Sequence, residues 1–102
     1  MEKSFGLLFY LKKPKNFSEG QRPVYLRITV NGISSEICTK RKCDYSDWNS
    51  TAGRMDGKTE FAKSLNSYLD VLQRKVYEAR KTLAENDQPV TAENIKNLLL
   101  GK

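Results

Sequence analysis

The chain has 102 residues, 38% of them hydrophobic, and no histidine. That length fits one compact domain, or a small domain plus part of a neighbour, and the absence of histidine removes the commonest general base, the Ser-His and Cys-His pairs and imidazole-ligated metal. The formal charge of +6 lies wholly in residues 1–43, where nine Lys/Arg meet three acids, while residues 44–102 carry nine of each. A field of that kind attracts nucleic acid or an anionic membrane face, against the plainer reading of a basic protein that is merely well solvated.

Ser4 to Lys13, "SFGLLFYLKK", reads as a strand. Its apolar patch is too short for a signal peptide and lacks a small-residue cleavage site, and no apolar run in the chain is long enough to span a bilayer. The expected location is therefore the cytoplasm, with no membrane partner. Pro14 to Pro23 carries the Pro, Asn, Ser and Gly of a loop. Val24, Leu26, Ile28 and Val30 alternate with Tyr25, Arg27 and Thr29 in the clearest strand signal of the chain. Asn31-Gly32 follows, a dipeptide suited to the positive φ that both central positions of a type I′ turn require. Ile33 to Lys42 returns as the partner strand.

A two-residue turn makes paired positions sum to 63. Leu26 then faces Ile37 and Val24 faces Thr39 on an apolar side. The opposite side carries Tyr25 beside Cys38, Arg27 beside Glu36, Thr29 beside Ser34, and Pro23 beside Lys40, with Lys42 continuing the row. Burying Arg27, Glu36 and Lys40 together would cost several kcal/mol per unpaired charge, so this side stays open. Tyr25, Arg27, Thr29, Ser34, Lys40 and Lys42 are donors suited to base edges and phosphates, and Lys12, Lys13, Lys15, Arg22 and Arg41 are expected to hold phosphates from the rim. The competing reading is a solvated face whose Arg27–Glu36 pair contributes under about 1 kcal/mol.

"CTKRKC" invites other readings. Two cysteines without histidine fall short of the four ligands of structural zinc. Strand alternation points Cys38 and Cys43 to opposite sides with Cα atoms about 16 Å apart, beyond the reach of a disulfide. Cys38 is expected half-exposed beside Tyr25 and Cys43 as a small apolar anchor. Three consecutive cations are too few to specify nuclear targeting.

Cys43 to Gly57 has turn chemistry throughout, with Trp48 to fasten it to the core. Gly53 and Gly57 lack the Lys-Ser/Thr of a phosphate loop, and Asp44, Asp47 and Asp56 do not match a calcium loop. Tyr10, Tyr25, Tyr45, Tyr68 and Tyr77 have no recognisable arginine-rich site around them. No metal, cofactor or small-molecule substrate is expected.

From about Glu60 to Asn86, apolar residues at Phe61, Leu65, Leu69, Leu72, Val76, Ala79 and Leu83 fall on one helix face. Thr59 is the expected N-cap. Roughly 26 residues give a helix about 39 Å long, more than a small sheet covers, so part is expected to project. Thr91 is the N-cap of a second helix ending near Leu100, with a Val90–Ile95 staple and Gly101 as the stop. Three leucines so near the end suggest a piece of a longer chain. The expected fold is α+β: a three-stranded antiparallel sheet packed on a long helix, with a short C-terminal helix. Residues 1–57 form the sheet part and 58–102 the helical part.

The phrase "PVYLRITVNG", the Thr39-containing end of the next strand, Trp48-Asn49, Leu65-Asn66 and "VTAENIKNLLLG" resemble the N-terminal part of the tyrosine recombinases (integrases) of Bacteroides-type phages and conjugative transposons. The likeness covers nearly the whole chain. It implies a non-catalytic arm-type DNA-binding domain that docks on double-stranded arm sites beside the crossover site, in a bacterial, nucleoid-associated setting. The recombinase's catalytic residues belong to a later domain, and residues from about 60 lead toward a core-binding domain. Where the family pattern carries Thr-Gly followed by apolar residues, this chain has "TKRKC", so either the grip on DNA is stronger or the local turn differs. The alternative function is a protein-interaction module for recombinase subunits; double-stranded RNA binding is a third.

Overall fold

The computed structural model describes residues 4–13 and 20–101. Strand β1 (Phe5–Leu11), β2 (Gln21–Val30) and β3 (Ile33–Asp44) form an antiparallel sheet in the order β1-β2-β3. A 3₁₀ turn (Tyr45–Asp47) and a small hairpin of β4 (Trp48–Asn49) and β5 (Arg54–Met55) lead into α1 (Glu60–Glu85) and then α2 (Ala92–Leu99). This is the α+β fold read from the sequence. Two points differ: β2 starts at Gln21, inside the stretch from Pro14 to Pro23 read as a loop, of which residues 14–19 lie outside the described residues, and the turn-rich connection contains a hairpin of its own.

Asn31 and Gly32 adopt φ of 54° and 83°, the double positive values of the expected turn. Paired positions sum to 63 from Val30–Ile33 to Tyr25–Cys38, as the turn dictates. There the register changes. Pro23 pairs with Lys42, Arg22 with Cys43 and Gln21 with Asp44. Val24 alone thus faces Thr39, Lys40 and Arg41, so β3 bulges by two residues. The expected neighbours Pro23 and Lys40 are not paired. Lys40 takes φ 64°, a left-handed value that glycine adopts without penalty and side chains resist. The bulge is tied down from both sides. Thr39 Oγ1 donates to the Val24 carbonyl (2.7 Å) and accepts from Arg41 N–H (3.2 Å), and the Tyr68 hydroxyl donates to the Thr39 carbonyl (3.4 Å).

One side of the sheet supplies Phe9, Val24, Leu26, Ile28, Val30 and Cys43 to a core completed by Leu65, Leu69, Val76, Ala79 and Leu83 of α1 and Ala92 and Ile95 of α2. The α1 stripe begins at Ala62; Phe61 is half exposed, so the first turn points differently from the spacing-based expectation. Helix α1 has 26 residues, about 39 Å at 1.5 Å per residue, yet it buries side chains from Ala62 to Leu83. The expected projection does not occur, because β5 packs near its start and α2 folds back on its other end.

Both N-caps are as read: Thr59 Oγ1 accepts from Ala62 N–H and Thr91 Oγ1 from Asn94 N–H. Val90 packs against the core cluster to which the fully buried Ile95 belongs. Helix α1 stops at a left-handed Asp87, where Gln88 N–H reaches the Leu83 carbonyl and Asp87 N–H the Ala84 carbonyl, satisfying carbonyls that a helix end leaves over.

The β4–β5 hairpin is anchored by two side chains. Asn66 of α1 donates to the Met55 carbonyl and accepts from Met55 N–H, both at 2.9 Å, and so acts as a strand partner for one residue. Arg54 bonds Asp70, Gln73 and the Gly53 carbonyl while its guanidinium lies 5.0 Å from the Phe9 ring centre. Gly53 takes φ 66°, a left-handed value that glycine adopts without penalty, in a turn that lies against Phe9 of β1. Trp48 packs on the core as expected.

Candidate nucleic-acid interface

The helices cover one side of the sheet and leave the other open. Alternation and register set its side chains in four cross-strand rows. Lys12, Pro23 and Lys42 form the first, Lys12 N–H bonding the Pro23 carbonyl at 3.0 Å. Tyr10, Tyr25 and Cys38 form the second, Leu8, Arg27 and Glu36 the third, and Gly6, Thr29 and Ser34 the fourth. Polar groups of β3 therefore stand beside those of β1 and β2 across about 10 Å, the width of three strands at ~4.8 Å spacing.

The rows are linked. The Tyr10 hydroxyl donates to Glu36 Oε2, as do Arg27 Nε (3.2 Å) and Nη2 (2.9 Å). Lys12 Nζ donates to Glu36 Oε1 at 3.2 Å. Lys12 also lies 4.6 Å from the Tyr25 ring centre and the Arg27 guanidinium 4.9 Å from that of Tyr10. The hydroxyls of Thr29 and Ser34 meet at 2.7 Å. Hydrogen bonds from Tyr10, and then from Arg27 and Lys12, hold the Glu36 carboxyl down at about 2. Burial and the neighbouring carboxylate raise the Tyr10 phenol, and the Glu36 hydrogen bond raises both Lys12 and Arg27. At neutral pH the cluster is one anion, two cations and a neutral phenol.

Of the residues expected to contact nucleic acid, Tyr25, Arg27, Thr29, Ser34 and Lys42 share the open face, and Lys12 joins them from β1 instead of standing at a rim. Lys13 is exposed just past the end of β1. The bulge carries Lys40 out of the rows, to a cleft bordered by Leu26, Ile37, Tyr68, Leu72 and Leu99. The Arg41 guanidinium lies 4.2 Å from the Tyr68 ring centre, toward α1, and Arg22 pairs across the strands with Cys43. Arg22 stacks on Tyr45 at 4.2 Å. Lys15 lies outside the described residues. Sequence reading passed over Tyr10 as a member of the face. The alternation of Leu8, Tyr10 and Lys12 against Phe5, Leu7, Phe9 and Leu11 carried the signal.

Cys38 is exposed next to Tyr25, and Cys43 is buried, its thiol pushed up to about 11 by burial and by Asp47 and Asp44. Among the described residues, no three of His, Cys, Asp and Glu lie close enough together to hold a metal ion, and no helix is long and apolar enough to cross a membrane.

A sheet that buries one face under two helices and presents cations, hydroxyls and aromatic rings on the other defines a small α+β binding domain. A family model described as the Arm DNA-binding domain matches residues 9–96, nearly the whole chain, and the chain belongs to that family. The family is one of non-catalytic DNA-binding domains. No curated protein and no solved structure matched the chain.

Proposed function

We propose that this domain binds double-stranded DNA at arm-type sites, as part of a site-specific tyrosine recombinase of a bacterial mobile element, and that the open sheet face enters the major groove. The observation that carries the reading is the division of the sheet: its apolar side is used up by the core, while Lys12, Tyr25, Arg27, Thr29, Ser34 and Lys42 share the other. A face about 10 Å across suits a groove about 12 Å wide. Arg27 is the candidate for guanine O6 and N7, Thr29 and Ser34 for other base edges, and Lys12 and Lys42 for phosphates. Lys13, Arg22, Lys40 and Arg41 stand outside the four rows and, with the charge of Lys15, add to the net positive field of the domain. Strand exchange belongs to a different domain of such a recombinase, and the domain acts in the bacterial cytoplasm, on DNA.

Fluorescence anisotropy tests this with a duplex selected by the protein from a random pool and a scrambled duplex of equal length. Affinity should fall steeply with salt, by about 0.9 log units per log unit of salt for each phosphate neutralised. Arg27→Ala should weaken preference between the duplexes, and Lys13→Ala should weaken both alike. Equal binding to both duplexes, unchanged by Arg27→Ala, would remove groove reading.

The exposed Leu98 and Leu100, at 42% and 46%, support a second role for the helical side in contacting another recombinase subunit or domain. A concentration-dependent dimer in sedimentation without DNA would support it; a monomer at all concentrations, with and without DNA, would count against it.

A further inference from the structure

Glu36 is an odd residue for the centre of a DNA-binding face. It is the only acid in the four rows, and the cations nearest it, Arg27 and Lys12, both donate to it. The Glu36 side chain is only partly exposed and its bonds contribute to folding, but ion pairs with Arg27 and Lys12, themselves about half exposed, add modestly, so folding alone does not account for its place. Toward the phosphate backbone it is a handicap, since it repels phosphates and occupies donors that would neutralise them.

Its geometry suits a base pair better. Arg27 engages Oε2 through Nε and Nη2, which is one edge of the guanidinium. That fixes the plane of the group and leaves the Nη1–Nη2 edge directed away from the carboxylate, the fork that fits two acceptors on a guanine. Glu36 Oε1 accepts from Lys12 alone among the described residues, so it has capacity for a further donor. A G·C pair shows two acceptors on the guanine, N7 and O6, beside one amino donor on the cytosine, N4. Arg27 and Glu36, directly paired across β2 and β3, present the complement: two donors beside an acceptor.

We propose that Arg27 and Glu36 together read one G·C base pair in the major groove, and that Glu36 is the specificity-determining member. It meets the cytosine amino group, holds Arg27 against the guanine, and penalises duplexes that offer only phosphates. This rests on the DNA-binding reading above.

The test is anisotropy at two salt concentrations with three kinds of duplex: the one selected by the wild-type protein, a series of that duplex with single G·C pairs changed in turn to A·T, and a scrambled one. For wild type, one G·C change should weaken binding by about 5- to 150-fold. Glu36→Gln should bring that position to within about threefold, leave the other positions discriminated, bind the scrambled duplex more tightly and steepen the salt dependence. Arg27→Lys keeps the charge without the fork and should lose discrimination at the same position; an amide spectrum matching wild type shows that each variant is folded. Full discrimination retained by Glu36→Gln, or an equal loss at every position, overturns the proposal while leaving groove reading in place. A wild-type protein without preference among these duplexes overturns both.

Discussion

Thr39 donates its hydroxyl hydrogen to the Val24 carbonyl across 2.7 Å, bridging the place where one residue of β2 faces three of β3. Because the same oxygen accepts from Arg41 N–H, a single side chain supplies partners on both sides of the bulge. Thr39 is buried, so water does not replace these bonds. The bulge in turn decides which cation stands in the first row of the open face: Lys42 and not Lys40.

Thr39→Val should therefore cost about 1–3 kcal/mol, the penalty for leaving buried polar groups without a partner in a side chain of equal shape. Urea denaturation gives the value. A variant as stable as wild type would show that the bulge holds without this bridge.

Lys40 tests the backbone at the same place. At φ 64° its side chain strains the chain, and Lys40→Gly removes that strain while losing some unfolded-state restriction. The two effects nearly offset, so stability should stay level or rise by up to about 1 kcal/mol. A β-branched residue tolerates this conformation worst, and Lys40→Val should lose about 1 kcal/mol or more. The reverse order of the two variants in denaturant midpoint would contradict the bulge geometry.

Asn66 holds the β4–β5 hairpin through both hydrogen bonds of its amide to Met55. Asn66→Ala should cost about 1–3 kcal/mol and speed hydrogen exchange at the Met55 amide. Asn66→Asp keeps the acceptor and loses the donor, so Met55 N–H should remain protected better than in the alanine variant.

The Glu36 cluster makes a pH-dependent contribution of definite sign. Its folded carboxyl lies at about 2 against 4.5, so the ionised form is favoured by folding. That stabilisation is complete above pH 4.5 and is lost as pH falls toward 2. Urea midpoints of wild type and Glu36→Gln should differ most near neutrality and converge as pH is lowered through that window. A constant difference across it would mean that Glu36 ionises alike in the folded and unfolded chain.

The hairpin register was legible for six pairs because Asn31-Gly32 fixes the turn and Leu26, Ile28 and Val30 declare the buried side. The bulge was not, for a reason of parity. A one-residue slip exchanges the two faces and shows at once in the pattern; an insertion of two restores the alternation, so Cys43 points inward and Lys42 outward in either register. The intervening Thr39, Lys40 and Arg41 contain no apolar residue to reveal the shift. Strands of two residues, β4 and β5, are too short for a period. The convergence of Tyr10 and Lys12 on Glu36 depended on the pairing of β1, which no tight turn specifies. The long helix was read correctly except for its reach, since Ala62 gives a weaker signal than Phe61 and the return of α2 is a tertiary event.

Amide chemical shifts recorded while titrating the protein with a selected duplex test the central claim most directly. We expect the changes to concentrate on Tyr10, Lys12, Tyr25, Arg27, Thr29, Ser34, Glu36, Cys38 and Lys42, and to spare the buried face of α1 from Leu65 to Leu83. Changes centred on the exposed side of α1 or on α2, with the sheet face silent, would contradict it.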